Sequence, residues 1–176
     1  MLVAGATGVL GRPLVPILLD RGHVVAGLTR SQGDLVRELG AEPIVCDVYE
    51  ADRLRELVGR FAPDVVVSLL TDLPDEIERI GEYAQRNNRM RTEGVRHLRA
   101  AAPAVPLIVE SVAFELPPAG AAAVREMEAV ADVSIRLARL SGPGTYDPDC
   151  AGAGERIHVV DAARLFADAV DGSASS

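Results

Sequence analysis

Seven residues near the amino terminus constrain what this chain can fold into more than any other stretch. Residues 5–11 read Gly-Ala-Thr-Gly-Val-Leu-Gly; they follow the apolar run at residues 1–4 and precede an amphipathic helix pattern. A strand, a glycine-rich turn and a helix in this order are typical of a dinucleotide-binding unit. Gly5 suits a tight turn, Gly8 lets the backbone approach a diphosphate, and Gly11 lets the helix pack on the strand. The pattern predicts that free N–H groups at the start of the helix bind phosphate groups.

Apolar runs alternate with helical patterns along the rest of the chain. Such alternation predicts an α/β fold with a parallel sheet. We expect one domain over residues 1–171 and a flexible polar tail at residues 172–176. The further strands are expected at residues 23–28, 43–46, 64–70, 107–111, 133–138 and 157–160. Helices are expected after Gly11, around residues 54–61, at 76–102 with a break at Gly81, at 120–131, and from a cap at Asp161 onward.

The overall charge and the cysteine positions argue against several classes of function. The formal net charge of −8 disfavours binding to nucleic acid or to an anionic membrane surface. No apolar stretch approaches the ~20 residues that span a bilayer, and the start of the chain does not resemble a signal peptide, so we expect a cytoplasmic protein. Cys46 and Cys150 lie far apart, with no histidine at ligand spacing, which argues against a disulfide or a metal site.

Several segments, in order along the chain, carry a resemblance to a known superfamily. The Gly-x-x-Gly-x-x-Gly spacing resembles the short-chain dehydrogenase/reductase superfamily, and more narrowly its extended and atypical branch of NAD(P)-dependent epimerases and dehydratases. The resemblance extends to residues 46–48, 68–74, 87–94, 140–146 and 157–161. It implies a Rossmann-type doubly wound parallel sheet of six to seven strands in the order 3-2-1-4-5-6-7, within three α/β/α layers. It also implies a nicotinamide cofactor and a small-molecule substrate.

The cofactor-binding candidates that the resemblance implies lie at the ends of the first four strands. NAD-preferring relatives carry an acidic residue where this chain has Thr29 followed by Arg30, which favours a 2′-phosphate and hence NADP(H), with NAD(H) as the alternative. A solvent-facing loop arginine is the other interpretation of Arg30. For Asp47 the alternative to an adenine contact is a helix cap near Glu50. The full set of candidates is Gly5, Ala6, Thr7, Gly8, Val9, Leu10, Gly11, Thr29, Arg30, Ser31, Asp47, Val48, Leu69, Leu70 and Thr71.

The chain departs from the family at the catalytic centre. The Tyr-x-x-x-Lys dyad of the family depends on a lysine that lowers the tyrosine pKa, and this sequence contains no lysine. Alignment through Glu128 places the two dyad positions at Gly120 and Val124, neither of which transfers a proton. Only about a dozen residues separate Gly144 from Ile157, where relatives place much of the substrate-binding lobe. We therefore expect a shallow pocket, or one that a second subunit completes.

Two hydroxyl groups are the catalytic candidates. Ser111 ends a central strand, where open α/β sheets place ligands, and its hydroxyl either orients a substrate carbonyl or bonds the local backbone. Tyr146 lies on a glycine–proline loop that borders the expected pocket. Its phenol either donates a proton or meets water while the ring packs. Glu110 and Glu115 flank Ser111 and are further candidates for a carboxylate base.

Together these residues predict an NADP(H)-binding protein like the short-chain dehydrogenases and epimerases. We expect a bacterial biosynthetic oxidoreductase for a small carbonyl or hydroxyl substrate that works without the dyad. The alternatives are a non-redox isomerase, lyase or cyclase, and a non-catalytic NADP(H)-sensing protein. The arginines of residues 86–99 are interpreted as a solvated face from which only Arg89 or Arg91 reaches a ligand. We expect a homodimer through the long helix and the helix beginning at Gly120, and neither a nucleic-acid nor a membrane partner.

Overall fold

Six short strands form one parallel sheet. The computed structural model describes residues 1–151 and 153–174. Every residue of the first, second and fourth strands is buried, as expected for central strands that are covered on both faces. The order is β3-β2-β1-β4-β5-β6, which confirms the expected order for these six strands. The strands are β1 Leu2–Ala4, β2 Ala26–Thr29, β3 Glu42–Val45, β4 Val66–Ser68, β5 Leu107–Val112 and β6 Val133–Leu137.

Helices cover both faces of the sheet. The helix at residues 33–38 was not predicted, because six residues are too few to show a helical repeat. The long helical region is continuous through Gly81, and its irregular part is instead a π-turn at Met90–Gly94. The helices are α1 Gly11–Asp20, α2 Gly33–Glu38, α3 Ala51–Phe61, α4 Ile80–Arg89, α5 Val95–Ala101, α6 Pro118–Val130 and α7 Val159–Ala174, with a short 3-10 turn at Ile77–Arg79.

Each face of the sheet has its own apolar core. Leu14 of α1 and Phe166 of α7 belong to one buried cluster together with Val3 of β1. Leu54 of α3 belongs to the cluster on the opposite face together with Leu2 of β1. Successive strand residues point to opposite faces, so one short strand contributes to both cores. The result is the expected arrangement of three α/β/α layers.

The carboxyl-terminal part differs from the expectation in two ways. The segment that would be the seventh strand, β8 Arg156–His158, pairs in parallel with β7 Arg139–Ser141 in a separate two-stranded sheet. Only Ala138 separates β7 from β6, so β7 continues the direction of the sixth strand. β8 pairs with this continuation and so extends the sheet layer at its edge. The last helix begins at Val159, before Asp161, and continues through Ala174. The tail predicted from residue 172 is therefore wrong for residues 172–174, and residues 175–176 lie outside the described residues.

The backbone of the first turn comes so close to Gly11 that it leaves no room for a side chain there. A Cβ atom at Gly11 would lie 2.3 Å from the Gly5 carbonyl oxygen and 2.6 Å from that of Ala6. Both neighbours are backbone atoms that cannot rotate away. We expect Gly11→Ala to lower the free energy of unfolding by about 2–3 kcal/mol in urea titrations, because the first crossover must shift.

Gly59 in α3 is the matched control for that substitution. It lies inside a helix, and nothing is within 4 Å of the position that a Cβ atom would take there. Gly59→Ala should therefore stabilise the protein by about 0.5–1 kcal/mol through helix propensity. Equal effects of the two substitutions would contradict the packing argument.

Candidate functional site

The glycine turn follows the strand at which the strand order reverses. β1 pairs with β2 on one side and with β4 on the other, and open α/β sheets bind ligands at such a switch point. The Gly5 N–H donates to the Leu28 carbonyl oxygen at 3.2 Å, and the Gly5 carbonyl oxygen accepts from the Gly8 N–H at 3.0 Å. Gly5 has φ +85°, and a Cβ there would lie 3.0 Å from the Leu69 carbonyl oxygen. Glycine is therefore required for both the conformation and the space.

The turn leaves a group of backbone N–H donors free. In the part of the chain that the structure describes, the amides of Thr7, Val9, Leu10 and Gly11 donate to no acceptor. The positive end of the α1 dipole lies at the same place, since the helix begins at Gly11. The Arg12 Nε donates to the Thr7 carbonyl oxygen at 2.9 Å, which holds a guanidinium beside the turn. Free amides, a helix start and an arginine together fit a diphosphate.

The end of β2 presents an arginine to solvent. The Thr29 side chain is buried, accepts the Gln32 N–H at 3.3 Å, and lies 3.5 Å from the Thr7 hydroxyl. Arg30 and Ser31 are exposed, and among residues 1–151 and 153–174 the Arg30 guanidinium has no hydrogen bond or ion pair. The Arg30 guanidinium therefore has all its N–H donors available to a ligand. Recognition of a 2′-phosphate by Arg30 stays a prediction.

At the end of β3, the side chain of Asp47 has a local partner. Its carboxylate accepts the Tyr49 N–H at 3.0 Å, which forms a turn just before α3. Val48 is buried, and its carbonyl oxygen accepts a hydrogen bond from His97 Nδ1 at 2.9 Å. The structure thus shows Asp47 closing a local turn, whereas α3 itself begins after Glu50 without a side-chain cap hydrogen bond. The adenine contact of Asp47 and Val48 stays a prediction.

The end of β4 forms the floor beside the glycine turn. Leu69 is buried against Gly5, Leu70 is half-buried, and Thr71 is exposed. The Asn87 side-chain oxygen of α4 accepts the Asp72 N–H at 3.0 Å, which fixes the loop that leaves this strand. Asn87 itself is buried, so the bond is sheltered from water. The three candidates of this strand lie together on one side of the turn.

The glycine–proline loop after β7 covers the same edge of the sheet. Gly142 has φ +103°, and a Cβ there would lie 2.6 Å from His158 Nε2. Further along, a Cβ on Gly144 would lie 3.8 Å from a Val9 methyl group in the glycine turn. The loop is thus held against β8 at one end and reaches the candidate phosphate site at the other.

Tyr146 joins this loop to the segment after β4. Its hydroxyl donates to the Pro74 carbonyl oxygen, while its ring remains partly exposed. Burial raises the pKa of Tyr146, and the charges of Asp75 and Glu76 act in the same direction. A phenol with a raised pKa is a weaker acid. The predicted proton donor therefore already has an acceptor, and its catalytic role stays a prediction.

Ser111 belongs to a polar group that ties α6 to the sheet. Its side chain is fully buried, and its hydroxyl donates to Glu128 Oε1 at 2.6 Å. Arg136 of β6 donates to both oxygens of the same carboxylate, at 2.9 and 2.8 Å. The Arg136 hydrogen bonds lower the pKa of Glu128 to about 2. A backbone partner was one expectation for Ser111, but Glu128 was not anticipated, since no local pattern connects residues 17 positions apart.

One step earlier on β5, Glu110 is a carboxyl group with an unusual environment. Burial raises the pKa of Glu110 to about 7, although the positive charge of Arg91 acts to lower it. No ion pair within 4 Å joins the two groups in the described residues. Glu110 was among the candidate bases, and Arg91 was one of two arginines expected to reach a ligand. The structure brings both to the end of β5.

The positions of the missing dyad lie on a side of α6 that faces other side chains. A Cβ on Gly120 would meet Leu116 at 3.5 Å and the Asn88 side-chain oxygen at 3.8 Å, and Val124 is buried. A groove of about 430 Å³ runs beside α6, lined by Val112, Phe114, Glu115, Leu116, Ala121, Val124, Arg125, Glu128 and Arg136. The two dyad positions are therefore occupied by apolar residues, beside a groove whose lining also includes the charged side chains of Glu115, Arg125, Glu128 and Arg136.

Metal clusters and membrane-spanning helices are absent among the described residues. No group of three or more His, Cys, Asp or Glu side chains in residues 1–151 and 153–174 is placed to hold a metal ion. None of the described helices has the length and apolar character needed to cross a membrane. Cys46 is buried, Cys150 is exposed, and both are free thiols.

Comparisons with known proteins show the family to which this chain belongs. The model of the NAD dependent epimerase/dehydratase family matches residues 1–114. A curated 3-diazoavenalumate denitrifying reductase from Streptomyces is 40% identical over 124 residues, which is 68% of this chain and 40% of that protein. The chain thus spans about two fifths of the length of this relative.

Solved structures show the same fold at low identity. The Bordetella bronchiseptica enzyme WbmH, in complex with NAD+, superposes with a TM-score of 0.73 at 18% identity over 97% of this chain and 71% of that chain. UDP-glucose 4-epimerase from Brucella ovis, in complex with NAD, gives 0.73 at 15% identity over 97% and 73%. The family model covers the strands and turns that carry the cofactor candidates. The chain belongs to the NAD dependent epimerase/dehydratase family.

Proposed function

We propose that this protein is an NADP(H)-dependent reductase for a small electrophile that accepts a hydride without a proton from the protein. The observation that carries the proposal is the bonding of the two candidate hydroxyl groups. Ser111 donates to Glu128, and Tyr146 donates to the Pro74 carbonyl oxygen. The chain has no lysine to lower the pKa of either group. Carbonyl reduction needs a proton for the developing alkoxide, whereas a cationic acceptor is neutralised by hydride alone.

The cofactor side of the proposal is supported by the glycine turn and the arginines beside it. The four free amides of the turn and the Arg12 guanidinium fit a diphosphate. Arg30 is exposed at the end of β2, where its guanidinium would bind the 2′-phosphate of the ribose. When bound, the reduced nicotinamide supplies the hydride. The chain's own contribution is to hold the two reactants in one orientation and to cover them with the loop of Gly144 and Tyr146.

The Streptomyces relative suggests a substrate class. Its name states that it reduces a diazo compound with removal of nitrogen. In an aryl diazonium ion, hydride can replace the departing N2: a C–H bond forms, the C–N bond breaks, and the cationic charge is cancelled. No proton is consumed in that step. We therefore propose a diazo-bearing aromatic molecule as the substrate class of this chain, which fits a site whose two candidate hydroxyl groups already donate to other acceptors.

The alternatives from the sequence make different predictions. A non-redox isomerase, lyase or cyclase would convert its substrate without consuming NADPH. A non-catalytic sensor would bind NADPH and leave every electrophile unchanged. The bonding of Ser111 and Tyr146 favours an electrophile that needs no proton, and turnover of the cofactor decides between the three functions.

Turnover is tested by incubating the full chain with NADPH and a benzenediazonium salt. We expect NADPH oxidation and N2 release in equal amounts, above the rate with heat-denatured protein. Benzaldehyde, a carbonyl of similar size, should be reduced at least about 10²-fold more slowly, because neither candidate hydroxyl group is free to supply the proton that it needs. Equal rates with the two compounds, or oxidation of neither, would contradict the proposal.

Cofactor preference is tested at Arg30. We expect Arg30→Ala to weaken NADPH binding about tenfold or more, as measured by cofactor fluorescence, because a charge-assisted bond to the 2′-phosphate is lost. NADH binding should change less than about twofold. Arg37→Ala is the matched control, since Arg37 is exposed on α2 and pairs with Asp34. A wild-type protein that binds NADH more tightly than NADPH would show that the assignment of Arg30 is wrong.

The roles of the two hydroxyls are tested with Ser111→Ala and Tyr146→Phe. Loss of a general acid lowers kcat by about 10²-fold or more. We expect kcat to fall less than about fivefold in both variants, with a higher KM for NADPH in Tyr146→Phe, because its loop loses the bond to Pro74. A collapse of kcat at unchanged KM in either variant would identify that hydroxyl as the proton donor.

A further inference from the structure

One arginine on the π-turn differs from all its neighbours. Four other arginines of this helical region each form an ion pair with a carboxylate. The pairs are Arg86 with Asp72, Arg89 with Glu93, Arg96 with Glu126 and Arg99 with Asp132. Arg91 lies in the middle of this series. It is the most buried of the five, at 8% exposure, and within the described ranges it makes no hydrogen bond or ion pair. The four more exposed arginines have partners and the most buried one has none, which is the reverse of the usual pattern.

The position of Arg91 is the carboxyl edge of β4 and β5. Asn87 lies one helical turn earlier and bonds the Asp72 amide in the loop after β4. The charge of Glu110, near the end of β5, acts on Arg91. α6, which carries the vacant dyad positions, packs against the π-turn. Arg91 and the glycine turn thus lie on opposite sides of β4. The substrate of the proposed reductase would lie on the side of Arg91.

The guanidinium of Arg91 remains reachable although its stem is buried. Among the residues that the structure describes, Nη1 of Arg156 is the one side-chain nitrogen or oxygen that lacks both a hydrogen-bond partner and contact with solvent. The nitrogens of Arg91 also lack partners, so they keep contact with solvent. Five N–H donors without partners, on a side chain that is 8% exposed, form a receptor for an anion.

The carboxyl group nearby does not satisfy this receptor. Glu110 forms no ion pair within 4 Å of Arg91 among the described residues. Burial raises the pKa of Glu110 to about 7, so near neutral pH much of it is protonated. Burial also lowers the pKa of Arg91, a sign that its charge is poorly compensated. An anionic ligand would compensate that charge.

We propose that Arg91 binds a carboxylate of the substrate and so orients it across the end of β5 from the cofactor. The inference rests on the proposed function, since it names a second feature of the same substrate. A planar guanidinium holds a carboxylate through two parallel hydrogen bonds, which fixes direction as well as position. The proposed donors to the cofactor phosphates are different groups: the amides of the glycine turn, Arg12 and Arg30. They lie on the other side of β4 from Arg91.

The test uses benzoate and its neutral isostere benzamide as probes, titrated into the full chain saturated with NADP+. By calorimetry we expect benzoate to bind at least about tenfold more tightly than benzamide. Arg91→Met should remove that preference, while Arg91→Lys should keep part of it because the charge remains. Arg89→Met is the control, since Arg89 lies two residues away, is exposed and pairs with Glu93. In the wild type, the Arg91 Nε–H signal in 15N-arginine spectra should move with benzoate, which gives a readout should Arg91→Met not fold.

The outcomes separate this inference from the proposed function. If NADPH binds normally to the wild type and to Arg91→Met while benzoate affinity falls only in Arg91→Met, the inference is supported. Equal binding of benzoate and benzamide, or an unchanged benzoate affinity in Arg91→Met, would overturn it and leave the reductase proposal standing. Loss of NADPH affinity in Arg91→Met without a benzoate effect would assign Arg91 to the cofactor instead and also overturn it. Failure of the wild type to bind NADPH would refute the proposed function itself.

Discussion

The close approach of three backbone segments at the first crossover is the constraint on which the site depends. The carbonyl oxygens of Gly5 and Ala6 lie where a side chain on Gly11 would have to be, and the Leu69 carbonyl oxygen closes the space over Gly5. These contacts join β1, α1 and the end of β4 without any side chain between them. The amides of the turn are left without acceptors because the chain is folded so tightly there. The free amides that we propose to bind phosphate and the packing of the crossover thus have the same geometric cause.

The parts of the fold that could be predicted from sequence are those with a local signal. The glycine turn, the buried central strands and the order of six strands follow from residue patterns and from the family resemblance. The helix at residues 33–38 and the pairing of β8 with β7 carry no such signal, because one is too short and the other depends on a contact between distant segments. The boundary at residue 172 was misjudged because small polar residues there continue a helix that α1 supports by packing.

The candidate site divides in the same way. Backbone groups of the turn could be anticipated, because glycine spacing determines where the chain can approach a ligand. The partners of the hydroxyl groups could not: Glu128 reaches Ser111, and the Pro74 carbonyl reaches Tyr146, only after the sheet and its loops have assembled. These partners change the chemistry that the two hydroxyls can perform. This bonding is the basis of the proposed substrate, whose own charge would drive the reaction without a proton from either hydroxyl.

The π-turn at Met90–Gly94 determines the phase between the two halves of the long helical region. A π-turn accommodates one residue more than the α-helical repeat on either side of it. Asn87, before the turn, reaches the loop after β4, while Leu98, after the turn, lies in the apolar core. The widened turn thus lets one continuous helical region present a polar side chain to the end of β4 and an apolar face to the sheet.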